Sequence, residues 1–457
     1  MTEPTAGAGG LAQRLLGRLG RGRHGGELLR GSGVALAFRL VGMATTYVFN
    51  FLVARWFGAS AVGALALATT VVTIAATIGR LGLDRAIVKF VAGSVSRGAT
   101  GLAAAYAWNG LAIVAGLGLG LSVVLWFLAP WLASTAFEKP ETAEYFRVAA
   151  PAVLFFSLSL YMAETLRGLK RILEFTVLRF VLVYAVACAA VTTMYLSGGA
   201  DAGRAAVSAF VVGCAAAAAV GLPLLLRRLP DRGGVAAAVG PLLVVSLPML
   251  VSNSMGMVVQ WTDVLMLGRF VSQAELGVYS IALKLAFAGA VLLNAVNAIS
   301  TPKFAEIHHG QDAHELGPFV RQTTRLLMIG SLPVFVVLVL FGKPVLGLFG
   351  DEFRAGYAAL VVLATGQLVS SVSGPVGNLL QMTGLERWFL AIVTVAGLLN
   401  VGMNLVLIPR FGIEGAAVAS AVALAVNNGL CVLLIRGKLG FWSIWLPGIG
   451  RARRPAR

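Results

Sequence analysis

Lys284 stands in the apolar run "GVYSIALKLAFAGAVLL". An ammonium so placed must meet water, an acid or an anion, because a bare charge in hydrocarbon is costly. At roughly 1.5 Å of rise per residue it lies about 13 Å inside its helix. Asp263, in the preceding run, is the acid within reach. The two fit a structural ion pair, and they equally fit a substrate or cation site. Unpaired, Asp263 could carry a proton; paired with Lys284, it stays ionised.

Other polar groups interrupt apolar segments in the same way. Arg39, near the inner end of the first run, can snorkel to headgroups or point its guanidinium into an inward-open cavity. Arg147 and Arg179 pose the same choice. Asn400 and Asn404 are four residues apart and share a helix face, from which they can bind a neighbouring helix or face a wet cavity. Gln260, Asn294, Asn297, Gln367, Asn378 and Gln381 add amides that suit sugar hydroxyls or simply bridge helices.

The elements that position these groups are membrane helices. The 457 residues are 58% hydrophobic and 12% charged, with a mean hydropathy of +0.87, far from a soluble domain. The runs are long enough for helices of about 20 residues and too long for barrel strands. Twelve spans are expected, near 34–57, 61–83, 102–129, 145–166, 175–196, 204–226, 241–267, 276–300, 322–342, 355–382, 388–408 and 413–435. Most of the 36 Lys and Arg fall in the tails and in alternate loops, which places both termini in the cytoplasm.

The expected organisation is a basic tail (1–33), a six-helix half (34–226), a cytoplasmic linker (227–240), a second six-helix half (241–435) and a basic tail (436–457). The tail looks like a lipid-facing segment rather than a cleaved signal, because the apolar run after it exceeds an h-region. Cys188, Cys214 and Cys431 lie in apolar runs and read as packing residues. His308, His309 and His314 share a polar loop that reads as solvated, so no metal or cofactor is expected. The net charge of +17 comes without an aromatic-interleaved basic domain, so a nucleic-acid partner is not expected. No GxxxxGK[ST] loop is present, which argues against an ATP-driven pump.

The two halves repeat one another. "ARWFGASAVGALALA" from Ala54 matches "GRFVSQAELGVYSIA" from Gly268, with Arg55 over Arg269, Gly63 over Gly277 and Lys89-Phe90 over Lys303-Phe304, at one offset of 214. "RGLKR" from Arg167 matches "TGLER" from Thr383, with Gly168 over Gly384 and Arg171 over Arg387, at an offset of 216. Six is even, so both halves enter the membrane in the same direction. A pseudo-two-fold axis along the membrane normal should relate them around a central cleft. Within the second half, "IPRFGIEG" reads as a hairpin at Pro409 and Gly412. The small residues Gly415, Ala416, Ala417, Ala419 and Ser420 then let the last span pack closely.

"NLVLIPRFGIEGAA" and "WTDVLMLGRFVSQAELGVYSIALKL", together with "QMTGLERW" and "ARWFGASAVG", resemble the polysaccharide transporter (oligosaccharide flippase) family of the multidrug, oligosaccharidyl-lipid and polysaccharide exporter superfamily. The resemblance covers nearly the whole chain. It implies an all-α, non-enzymatic transporter that flips a lipid-linked, pyrophosphate-bearing oligosaccharide, as O-antigen flippases do. Membrane lipids and other glycan-assembly proteins would be its partners. Cationic groups in the cleft would suit a diphosphate. The expected cavity residues are Lys284, Arg39, Asp263, Asn294, Gln367, Asn378, Gln381 and Asn404. A drug/cation antiporter of the same superfamily is the alternative. A membrane glycan polymerase or ligase ranks third, because no large outer loop with His is present.

Overall fold

The computed structural model describes residues 25–198, 201–229, 238–288, 290–310 and 313–445, without the side chains of 25–36, 251–260, 290–292, 294–295, 298–299, 309 and 313. Most of the expected linker and the greater part of both basic tails lie outside these residues.

All regular structure among the described residues is helical. The helices are α1 (Gly25–Arg80), α2 (Leu83–Ser96), α3 (Thr100–Trp131), α4 (Ala143–Gly168), α5 (Ile172–Thr176), α6 (Leu182–Ser197), α7 (Ala202–Arg228), α8 (Val239–Phe270), α9 (Gln273–Phe287), α10 (Ala290–His309), α11 (Leu316–Phe349), α12 (Tyr357–Ser373), α13 (Val376–Met382) and α14 (Glu386–Leu439).

Eight helical segments among the described residues are long and apolar enough to cross a bilayer. Two of them cross twice, because α1 breaks at Gly58 (φ 82°) and α14 breaks at Gly412 (φ 55°). Side chains rarely adopt such backbone angles, so glycine sets both breaks. Together with α8 and the α9–α10 pair, this gives about twelve crossings in a multi-pass membrane protein.

Local departures from uniform spans have visible causes. The second crossing stops at Arg80, and the chain turns through Leu81 and Gly82 into α2. Leu83, Ala86, Ile87 and Val91 of α2 are buried, while Arg85, Lys89 and Arg97 are exposed, so this helix lies along an apolar–polar boundary. The fifth crossing contains a π-helical turn at Val177–Val181. The tenth is interrupted at Gly374, whose φ of 85° and close approach to Thr324 exclude a side chain; α13 resumes after it.

Small residues set the packing. A Cβ on Gly415 would fall 2.3 Å from the Leu407 carbonyl oxygen, so the last two crossings touch backbone to backbone. Ala416, Ala417 and Ala419, which follow Gly415 in the last crossing, are fully buried. Between the halves, α9 packs against both arms of α1 and crosses the second arm where Gly63 meets Gly277. The connections at 137–142 and 350–356 meet the opposite half at one end of the molecule. At the other end, α2 packs on α8, with Gly82 against Ser246 and Leu250. Cys214 is buried in the main core and Cys431 in a second core formed by α10, α11, α13 and α14.

Candidate functional site

Asp263 and Lys284 do not pair. Tyr279 and Lys284 are five residues apart on α9, about 140° around a helix of 3.6 residues per turn. Tyr279 therefore faces Asp263 on α8, and Lys284 faces α1.

Asp263 is 3% exposed and sits where α8, α9 and both arms of α14 converge. Its Oδ2 accepts from Tyr279 Oη at 2.8 Å and from Ser420 Oγ. Its Oδ1 accepts from Asn404 Nδ2 at 2.7 Å and from Asn400 Nδ2 at 3.3 Å. The hairpin at Gly412 brings Asn400 and Asn404 on one arm to Ser420 on the other. Four neutral donors therefore hold the carboxylate, and Asn404 Oδ1 is buried with no protein donor. These oxygens are the donor type that a hard cation takes. No cluster of three or more His, Cys, Asp or Glu occurs among the described residues.

Lys284 reaches across the interface between the halves. Its Nζ donates to Asn50 Oδ1 at 2.6 Å, and its backbone carbonyl accepts from Tyr47 Oη at 2.7 Å. Asn50 is oriented for this role because its Nδ2 is committed to the Thr46 carbonyl. Among the described residues no carboxylate lies within ion-pair distance of Lys284, so a neutral amide meets the ammonium and its charge is uncompensated.

A second cationic group lies at the end of the first half where α2 begins. Arg179, carried by the π-helical turn, pairs with Glu164 at 3.1 Å, and Arg167 pairs with the same carboxylate at 2.7 Å. Arg80, 5% exposed, lies 3.4 Å from Asp84, and its Nη1 is buried without a partner. Arg39 is exposed, and its guanidinium lies 5.5 Å from the centre of the Phe180 ring, as does that of Arg179. Four guanidinium groups thus stand against two carboxylates. Arg80 and Glu164 were not singled out from the sequence. The signal was an acid inside the apolar run "SLYMAETL".

Among the described residues, the remaining expected site residues do not converge. Asn404 is fully buried and committed to Asp263. Gln367 lines a small pocket between α9, α11 and α12 with Ala286, Ser331, Phe335 and Ser371. Asn378 is half-buried on α13 and Gln381 is exposed there. The Asn294 and Gln260 side chains lie outside the described residues.

Comparisons with known proteins agree with this architecture. The family described as "Polysaccharide biosynthesis protein" matches residues 52–358. A probable low-salt glycan biosynthesis flippase, Agl15, of Haloferax volcanii is 28% identical over 182 residues, covering 40% of this chain and 39% of that one. A probable flippase, AglR, of the same organism is 29% identical over 178 residues, covering 38% and 37%. The chain thus spans about two-fifths of the length of these curated relatives. Among solved structures, an inward-facing multidrug resistance MATE family transporter of the MOP superfamily matches with a TM-score of 0.76 at 14% identity, covering 89% of this chain and 98% of that one. Lipid II flippase MurJ in an inward closed conformation matches with 0.72 at 12% identity, covering 89% and 87%. At these identities the likeness establishes the fold.

Proposed function

Because the chain belongs to the polysaccharide biosynthesis protein family, we propose that it carries a lipid-linked, pyrophosphate-bearing oligosaccharide across the cytoplasmic membrane by alternating access. The observation that carries this reading is Lys284, an ammonium held between the two halves with only an amide opposite it. A diphosphate is the ligand class such a charge would draw from water into a low-dielectric cleft.

The guanidinium group around Arg39, Arg80 and Arg179 adds positive charge at the inner end, where the substrate would enter. Residues 34–226 and 241–435 form the two moving halves in this scheme. The linker (227–240) and the basic tails (1–33 and 436–457) lie at the cytoplasmic surface. The relatives named as flippases and the MurJ-like fold support the assignment. The excess of cations disfavours a carrier of organic cations, whose cleft would need the opposite sign.

The test is reconstitution of the purified protein into liposomes carrying a lipid-linked diphospho-oligosaccharide in the inner leaflet, scored by its appearance outside. Transfer of that lipid without uptake of a cationic dye supports the proposal. Dye exchange without lipid transfer would assign the chain to the antiporters.

A further inference from the structure

Two contacts close the outer end of the molecule, and the internal repeat relates them. In the first, the segment after α3 reaches the second half. Lys139 donates to the carbonyls of Gly268, at 2.6 Å, and of Val271, at the end of α8. Glu138 pairs with Arg269 in the same turn, and Phe137 fills the notch left by Gly268. In the second, the segment after α11 reaches back to the first half. Glu352 Oε1 accepts from the Ala59 amide at 2.6 Å, where α1 resumes after Gly58. Glu138 and Glu352 occupy equivalent positions at the repeat's offset of 214.

The charges match the helix ends that they meet. A helix presents partial negative charge at its carbonyl end and partial positive charge at its amide end. Lys139 meets the former and Glu352 the latter. The comparison with α9 is informative, because α9 caps itself: Ser272 Oγ accepts from the Glu275 amide and Glu275 accepts from the Ser272 amide. The resumed arm of α1, with Gly58 at the position equivalent to Ser272, instead takes a carboxylate from the opposite half on its Ala59 amide.

We propose that these two contacts, Lys139 on the end of α8 and Glu352 on the start of the second arm of α1, are the latches of an outer gate that release when the halves part. The inference rests on the transport reading for its purpose, not for its geometry. Glu138 and Arg269 are well exposed, with side-chain exposures of 62% and 40%. Exposed charge pairs contribute little net stability, which suits a contact that must break in every cycle. Glu138 also sits at φ 54°, a conformation that a non-glycine residue keeps only when its surroundings hold it there. Burial pushes the Lys139 ammonium below its usual pKa, while Glu141 and Glu275 act in the opposite direction.

The test uses Ser60→Cys with Gln273→Cys, whose parent side chains are 3.4 Å apart across the interface, in a chain with its three native cysteines replaced by serine. Disulfide formation reports a closed outer end and needs no substrate. Lys139→Ala and Glu352→Gln should each slow it several-fold, and together more. An unchanged rate in the Lys139→Ala/Glu352→Gln pair would overturn the proposal. Should Lys139→Ala fail to accumulate, Glu352→Gln decides alone, since it preserves side-chain size. A latch effect without glycan transfer would refute the transport reading and leave the gate standing.

Discussion

Gly63 and Gly277 occupy the space of each other's missing side chains. A Cβ on Gly63 would lie 1.8 Å from the carbonyl oxygen of Gln273, and one on Gly277 would lie 1.9 Å from that of Ala59. The two contacts interchange under one operation, because 59 and 63 become 273 and 277 at the repeat's offset. The pseudo-two-fold axis therefore passes through this crossing, and the backbones there are as close as two helices come.

Alanine at either glycine should keep the halves from closing at their outer end. Overpacking against backbone costs about 1–3 kcal/mol, which is roughly 5- to 150-fold in the closed population. Gly63→Ala and Gly277→Ala should slow transport in reconstituted vesicles to a similar degree, while Gly116→Ala, in open space, should transport normally. Unequal effects of the first two would count against the symmetry argument.

Lys284→Gln keeps a hydrogen-bond donor on a side chain one atom shorter and removes the charge, so transport should collapse while abundance persists. Lys284→Arg should restore part of it, since the charge survives in a different shape. Cys431→Ser serves as a control with near-normal transport. Parental rates from Lys284→Gln would remove the ammonium from the mechanism.

The hydrogen-bond lengths around Asp263 rank its supports. Asn404→Ala, which removes the 2.7 Å bond and an amide contact to Asn400, should destabilise by about 1–3 kcal/mol. Asn400→Ala removes the 3.3 Å bond, the same contact with Asn404 and one to Ser420; because its bond to the carboxylate is the longer of the two, it should cost less. Thermal unfolding in detergent gives the order, and the reverse order would contradict the geometry.

Glu164 is 5% exposed and holds two arginines that are themselves partly exposed, so Glu164→Gln removes two charge-assisted contacts from partly solvated guanidinium groups. A loss of about 1–3 kcal/mol is expected. Glu174→Gln, at the more exposed pair with Arg228, should lie within ~1 kcal/mol of the parent. Equal unfolding temperatures for the two variants would refute the distinction.

Orientation is checked by single cysteines. Ser272→Cys and Asp351→Cys should react with an impermeant maleimide on intact cells, and Ser96→Cys only after permeabilisation. Labelling of Ser96→Cys from outside would invert the topology.

The sequence by itself determined the solvent, the crossings and the repeat. Apolar runs long enough to span hydrocarbon have one economical backbone solution, and glycine at 412 had to break the helix because the chain reverses there. It also marked Asp263 and Lys284 as costly, since desolvation is a local property of a residue in its run. Only the tertiary structure decided their partners. The angle between Tyr279 and Lys284 around α9 sends one toward Asp263 and the other toward Asn50, and no spacing rule identifies the helices that wait on each side. The guanidinium group around Glu164 and the latches at Lys139 and Glu352 depend likewise on segments far apart in the chain. Their charges look solvated in sequence and acquire roles only when packing brings a helix end within hydrogen-bond reach.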